Sequence, residues 1–266
     1  MKVVLLSFCN KDWQKRHAPL RRLRKEAMRM GLFDEIMLYD EETFDSDYKA
    51  KFVERFKERS FGYWQWKSYL IKRELERLDD GDILFYCDSG CHLNSRGKLR
   101  FEEYVETVRI SKSGVIAIDN GLDERCWTKG DMFDFFGIKM SDYEGTQYLS
   151  GVLLFRNQET TRQLINDWYD VCHNHHELIT DSPSVSPNYV SFVENRHDQS
   201  ALSLLLHTKY RADSISEDEV WPCWNHDWSL LWDKPIWTCR NHVREAKKNA
   251  FVNRMKRKIK KVIKCR

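Results

Sequence analysis

The chain has 266 residues, with 41% hydrophobic and 13% aromatic side chains, enough to fill one large core without metals or disulfides. That excludes fibrous, disordered and disulfide-stapled classes, and no window approaches the roughly eighteen continuous apolar residues of a membrane span. The formal charge of +3 is unevenly placed: residues 246–266 carry ten Lys and Arg and no acid, leaving 34 basic against 41 acidic side chains, a sum of −7, on the rest. A body of that sign does not resemble the positive groove of a nucleic-acid enzyme.

Residues 3–8 (VVLLSF) form the first predicted strand. Charged residues follow it directly and no small-residue cleavage site appears, so the start reads as sheet and not as a leader. A helix is predicted from near Pro19 to near Gly31, a second strand over 36–39 (IMLY), and a helix over 63–78 with Trp66, Leu70, Leu75 and Leu78 on or near one face. The turn Asp79-Asp80-Gly81 ends it, and 82–87 (DILFYC) reads as a buried strand. A strand at 114–118, a helix after Thr128, a strand at 149–155 and a helix over 158–173 continue the alternation. Such alternation predicts an α/β fold with a mainly parallel sheet covered by helices on both faces, and with ligands at the carboxyl ends of strands.

Segment 174–197 is polar, aperiodic and contains Pro183 and Pro187, which predicts a long loop of the kind that serves as a lid or binding element. A helix over 198–207 follows, and 221–241 holds five tryptophans without a regular period. The eight cysteines are scattered with no CxxC pair, as in a reduced cytoplasmic protein. His173, His175 and His176 lack the spacing of a zinc site.

Three short constellations could carry chemistry. Asp88-Ser89-Gly90 follows a buried strand, where an aspartate is well placed to hold a cation or a ligand hydroxyl; locally it is also an ordinary turn. Thr128 and Asp131 have capping-box spacing, which leaves Lys129 at the start of a helix, opposing its dipole unless it neutralises a phosphate. Asp198, in His197-Asp198-Gln199, has the position of an N-cap.

The order FGYWQWKSYLIKREL, GDILFYCDSGCHLN, ERCWTKGDMF, YLSGVLLFRN and HDQSALSLL resembles that of nucleotide-sugar glycosyltransferases of the GT-A fold, especially bacterial and viral enzymes that build capsule, O-antigen and lipooligosaccharide. The likeness runs over about residues 1–242 and implies a GT-A, Rossmann-like domain there. It implies a UDP- or GDP-type sugar donor whose base lies on Ser7 and Phe8, with Lys67 and Lys129 on its sugar or diphosphate. Asp88 matches the first aspartate of the Asp-x-Asp motif that binds diphosphate through Mn²⁺ or Mg²⁺. The second position is Gly90, so His242 and the phosphates would have to complete the metal. Ser150 and Gly151 would lie under the transferred sugar, Asp198 would bind its hydroxyls, and the Gln199 amide would face the anomeric carbon of a retaining enzyme. In an inverting enzyme Asp198 would instead be the general base. Trp221, Trp224 and Trp228, with Trp232, are candidates for an acceptor wall.

Residues 243–266 form a predicted basic tail. On a helical wheel its apolar residues 251, 252, 255, 259, 262 and 263 share an arc of about 120°, the pattern of a helix lying in an anionic membrane surface. Polyanion binding needs no such stripe, so specific nucleic-acid binding is not expected. A lipid-linked saccharide acceptor fits an enzyme standing on the inner face of the cell membrane. Two other readings compete. A sugar-nucleotide nucleotidyltransferase would want a glycine-rich phosphate loop where SFCNKDWQKR has no glycine, and a non-catalytic scaffold would leave Lys67, Asp88, Asp198 and Gln199 without a common pocket.

Overall fold

A computed structural model describes residues 1–221, 228–239, 251, 252 and 255. Its strands are β1 (Val3–Phe8), β2 (Glu35–Tyr39), β3 (Ile83–Cys87), β4 (His92–Leu93), β5 (Val115–Asp123), β6 (Thr146–Arg156), β7 (Asp213–Ser216) and β8 (Ile236–Trp237). Its main helices are α1 (Lys11–His17), α2 (Pro19–Met30), α3 (Ser46–Phe52), the single turn α4 (Ser60–Tyr63), α5 (Trp66–Arg77), α6 (Lys98–Ile110), α7 (Glu124–Trp127), α8 (Gly130–Phe135), α9 (Glu159–Asn174) and α10 (Asp198–Leu205).

Six strands form one sheet in the order β2-β1-β3-β6-β5-β7, and β4 pairs with β8 apart from it. β1 is parallel to β2 and β3, and β5 to β7, whereas β6 is antiparallel to both its neighbours, β3 and β5. Five of the six strands therefore point one way, and the mainly parallel α/β architecture expected from the sequence is found. The reversal of β6 matters for the site, because it lays the first half of that strand along the carboxyl ends of β3 and β5.

Alternate residues of each central strand serve opposite faces. Val4, Leu6, Leu84, Tyr86, Val115, Ala117, Leu153 and Phe155 pack with Leu70 and Ile71 of α5 and Leu164 and Trp168 of α9. Leu5, Ile83, Phe85, Ile116, Ile118, Val152 and Leu154 pack with Leu23 and Ala27 of α2 and Phe101 of α6 on the other side. Both registers are apolar because both faces are covered, which is why these strands read as continuous apolar runs.

Three local differences from the sequence reading have physical causes. The helix expected over 63–78 starts only at Trp66, because Ser60, Phe61, Gly62, Tyr63 and Trp64 all have positive φ (50°, 66°, 85°, 51° and 62°). The edge strand β7 is the tetrad DSIS, whose single apolar residue, Ile215, makes no pattern to announce it. After Leu205 the helix expected to reach 207 widens into a π-turn over Leu206–Tyr210. Most of the tail lies outside the described residues; Phe251, Val252 and Met255 are helical and exposed. Among the described residues no helix is long and apolar enough to cross a membrane.

Candidate active site

The chain brings Lys67, Asp88, Ser150, Gly151, Asp198 and Gln199 to the walls of one cleft of about 580 Å³. They arrive from four elements: Lys67 from the first turn of α5, Asp88 from the end of β3, Ser150 and Gly151 from the reversed β6, and Asp198 and Gln199 from the start of α10. Asp88 N–H donates to Gly151 O at 2.9 Å, extending the β3–β6 ladder by one step and fixing the aspartate against the neighbouring strand. A Cβ on residue 151 would lie 2.8 Å from Asp88 Oδ2, so only glycine permits this approach. Tyr86 OH donates to Asp88 Oδ1 at 2.7 Å and orients the carboxylate.

Lys67 is the centre of the group. Its ammonium lies 3.0 Å from Asp198 Oδ2 and 3.7 Å from Asp88 Oδ1, and donates to Ser150 Oγ at 2.9 Å. Its side chain is 2% exposed and that of Asp198 3%, whereas Asp88 is 35% exposed and faces the cleft. Burial disfavours the charged lysine, but Asp198 and Asp88 more than offset it, and its pKa ends above the usual value. Burial raises the Asp198 pKa against the pull of Lys67. Although ion-paired, Asp198 Oδ2 makes no well-angled hydrogen bond. Asp198 is not the N-cap of α10: His197 takes that place at φ 61°, with its imidazole bonded to Ile179 O at 2.8 Å, and the aspartate turns inward to the lysine.

Gln199 accepts from Ser150 N–H at 3.2 Å and donates through Nε2 to Gln147 Oε1 at 2.6 Å. The cleft is lined also by Arg59 and Arg196, which had no role in the sequence reading, and by Trp64 and His197. Arg59 pairs with Asp181 at 3.2 Å, and Arg196 lies over the Trp127 ring at 4.3 Å. Their signal was position alone, beside the Trp64–Lys67 and Asp198–Gln199 segments. Part of the polar loop also reaches the site, since Glu194, Arg196 and His197 line it.

Other expected residues fall elsewhere. Ser7 is fully buried with its Oγ unpartnered, and Phe8 is 4% exposed among Phe44, Phe61 and Trp66, so neither lines the cleft. Lys129 does not reach it either: its ammonium donates to Glu177 O and Ser182 O, tying down the loop after α9. The capping box is not formed. Thr128 bonds to Glu124, and Asp131 accepts Val185 and Ser186 N–H groups, pinning the same loop. Trp221 lines the cleft, and Trp232 instead packs under Arg96 at 4.2 Å. Trp228 opens a 3₁₀ turn; Trp224 and His242 lie outside the described residues. His173 bonds to Tyr48 OH and Tyr169 O, and His176 to Cys172 O and Glu58, so both serve packing.

Among the described residues no group of three His, Cys, Asp or Glu is arranged to hold a metal ion. Asp88 supplies one partly exposed carboxylate, beside Gly90 in the cleft wall, and the described residues go no further toward a cation site.

No protein-family model matches the chain, and no curated protein matches it. It is similar in structure to a glycosyltransferase involved in the glycosylation of the major capsid of PBCV-1, with 10% identity, a TM-score of 0.46, and coverage of 93% of this chain and 100% of that one. It is similar also to mouse xyloside xylosyltransferase 1 in its apo form, with 12% identity, a TM-score of 0.48 and coverage of 89% and 96%. A third is the galactosyltransferase LgtC in complex with donor and acceptor sugar analogues, with 12% identity, a TM-score of 0.43 and coverage of 83% and 74%. At TM-scores below 0.5 these likenesses carry no weight for function, and the chemistry is read from the chain's own residues.

Proposed function

We propose that the chain is a glycosyltransferase that moves a sugar from a UDP- or GDP-type nucleoside diphosphate sugar to a lipid-linked saccharide in surface-glycan synthesis, with retention of configuration. The observation that carries this reading is the convergence of Lys67, Asp88, Ser150, Asp198 and Gln199 on one cleft at the carboxyl edge of a mainly parallel sheet. A scaffold has no use for an ammonium buried between two carboxylates at the wall of a cavity, an arrangement that is costly in isolation and suited to binding polar ligands.

Transfer breaks the bond from the anomeric carbon to the diphosphate and forms one to an acceptor hydroxyl, whose proton passes to the departing phosphate oxygen. Lys67 holds Asp198 in place to receive sugar hydroxyls, and the Gln199 carbonyl lies where positive charge develops. Asp198 is buried and bound to the ammonium, which makes it a poor base for an acceptor hydroxyl and supports the retaining course. The fixed charge at the centre is one ammonium against two carboxylates, so the diphosphate needs further positive charge. Arg59 and Arg196 at the mouth, and Mn²⁺ or Mg²⁺ on Asp88, are the proposed sources. The loop around Glu194 and Arg196, together with Trp221, would exclude water and face the acceptor. The basic tail is proposed to hold the enzyme on the cytoplasmic membrane surface.

The test is a panel of nucleoside diphosphate sugars assayed for hydrolysis and for transfer to lipid-linked and short soluble acceptors, with and without Mn²⁺. Asp88→Asn should lose about 10²-fold in turnover, equivalent to roughly 3 kcal/mol. Full activity of that variant, or no turnover of any donor by the unmodified chain, rejects the reading.

A further inference from the structure

A carboxylate in the core is joined to Gln199 through a single intervening side chain. Glu124, the first residue of α7, is 0% exposed. Its Oε1 accepts from Thr128 Oγ1 and, at 2.9 Å, from Gln147 Nε2, while its Oε2 accepts from Ser203 Oγ. Gln147, on β6, turns its own Oε1 to Gln199 Nε2 at 2.6 Å, and Gln199 takes Ser150 N–H on its Oε1 at 3.2 Å. Two primary amides are thus strung between a backbone N–H, which can only donate, and a carboxylate, which when ionised can only accept.

That polarity decides which end of each amide faces which way. An ionised Glu124 requires the NH₂ of Gln147, so the Gln147 carbonyl is left for the NH₂ of Gln199, and the Gln199 carbonyl is left for Ser150 and the cleft. Each link also polarises the next. Once the head of the chain is neutral it can donate as well as accept. Its hold on the Gln147 NH₂ then weakens, leaving Trp127 O at 3.3 Å as that amide's remaining acceptor-only partner, so the Gln147 carbonyl is polarised less and orients the Gln199 NH₂ less firmly. Of α7, β6 and α10, none places a cation against Glu124. The titratable neighbours are Asp123, whose partner is Arg125 at 2.7 Å, and the buried phenol of Tyr143; Ser203 and Thr128 contribute only hydroxyls.

We propose that Glu124 is a positioning residue that acts through Gln147 to hold the Gln199 amide with its carbonyl toward Ser150 and the cleft. The proposal rests on the transferase reading for the use made of Gln199, but the orientation itself can be measured separately. Burial raises the Glu124 carboxyl to about 7, against the pull of its hydroxyl and amide donors. The group is therefore ionised, and the chain polarised, above that pH and not below it.

Selective ¹⁵N labelling of glutamine marks the side chains of Gln14, Gln65, Gln147, Gln158, Gln163 and Gln199. In the full chain, the Gln147 and Gln199 amide resonances should move together with a midpoint near pH 7 while Gln14 and Gln163 stay still. In Glu124→Gln that movement should vanish. Turnover of a nucleoside diphosphate sugar by Glu124→Gln should fall at least about tenfold with donor KM changed less than about twofold, and the acid limb of kcat should disappear. Glu124→Asp, which restores a carboxylate, should bring back part of that limb. A Gln199 resonance indifferent to pH in the unmodified chain, or a Glu124→Gln variant with unchanged kcat, overturns the proposal. If no donor is turned over at all, the transferase reading fails, and the resonance titration still decides the orientation on its own.

Discussion

Lys67→Met keeps the length and apolar stem of the lysine and deletes only its charge. The ammonium lies 3.0 Å from Asp198 Oδ2, with both side chains nearly inaccessible, and 3.7 Å from the more exposed Asp88. Removing one partner of a buried pair costs about 3–5 kcal/mol, because the other is left uncompensated, and most of that cost falls on Asp198. At about 2–4 °C per kcal/mol for a domain of this size, the melting temperature should drop by roughly 10 °C. The deficit should depend on pH with a definite sign. Asp198 already titrates above its usual range through burial and climbs further without Lys67. Folded Lys67→Met then binds a proton that the unfolded chain has released, so its stability falls as pH rises from about 4 toward the raised pKa. The variant should lie near the unmodified protein in acid and far below it at neutral pH and above. Thermal melts at about pH 5 and pH 8 for Lys67→Met, Asp198→Asn and the double variant form the assay, with the double variant recovering at least half of the loss. If the double variant is as unstable as the two single losses added together, or Lys67→Met melts with the unmodified protein at pH 8, the pair does not hold the site in this way.

Gly151→Ala should push Asp88 aside, since the new Cβ would come within 2.8 Å of Oδ2; a cost of about 1–3 kcal/mol with loss of most turnover is expected in melts and donor assays. Lys129→Met should lower the melting temperature by leaving the Glu177 and Ser182 carbonyls short of a donor, with donor KM unchanged. A large rise in that KM would restore the donor-contact role expected from sequence. Serine at Phe251, Met255, Ile259 and Ile263 together should release the protein from anionic liposomes at about 0.15 M salt while every Lys and Arg remains, because each large side chain withdrawn from the interface forfeits about 1 kcal/mol or more. Unchanged co-sedimentation would leave the tail purely electrostatic.

The inner strands β1, β3, β5 and β6 were legible because burial on both faces makes them continuous apolar runs, and the helix starting at Pro19 because Pro19 and Gly31 mark its ends. The direction of β6 was not, since composition carries no information on sense. The site residues Lys67, Asp88, Ser150, Gly151, Asp198 and Gln199 came from the order of five segments and meet in space. Lys129 came from the same order, and Ser7 and Phe8 from what the resemblance implies for the first strand; none of the three joins them. For Ser7 and Phe8 the cause is the covered sheet: one falls in the interior and the other in an aromatic cluster. For Lys129 it is a long-range contact with a loop about fifty residues onward, which no local pattern encodes. The Glu124–Gln147 link was invisible for the same reason, its partners lying 23 positions apart.

The five left-handed residues just before Lys67 bear on the order in which the molecule assembles. Four of them carry side chains, and a left-handed turn costs such residues about 1–2 kcal/mol each, which local bonds such as Tyr63 N–H to Arg59 O at 2.7 Å offset only in part. It is held from outside, by Phe56 against Phe61 at 4.7 Å and by His197 against Tyr63 and Trp64 at 5.1 and 5.4 Å. His197 emerges from synthesis after the turn, and until it docks Tyr63 and Trp64 lack those ring contacts while Phe61 already has Phe56. The turn before Lys67 is therefore completed only when the start of α10 packs against it. In the finished protein it should be the part that opens most readily: amides 60–65 should exchange with solvent through local opening, while those of β3 wait for the whole domain to unfold.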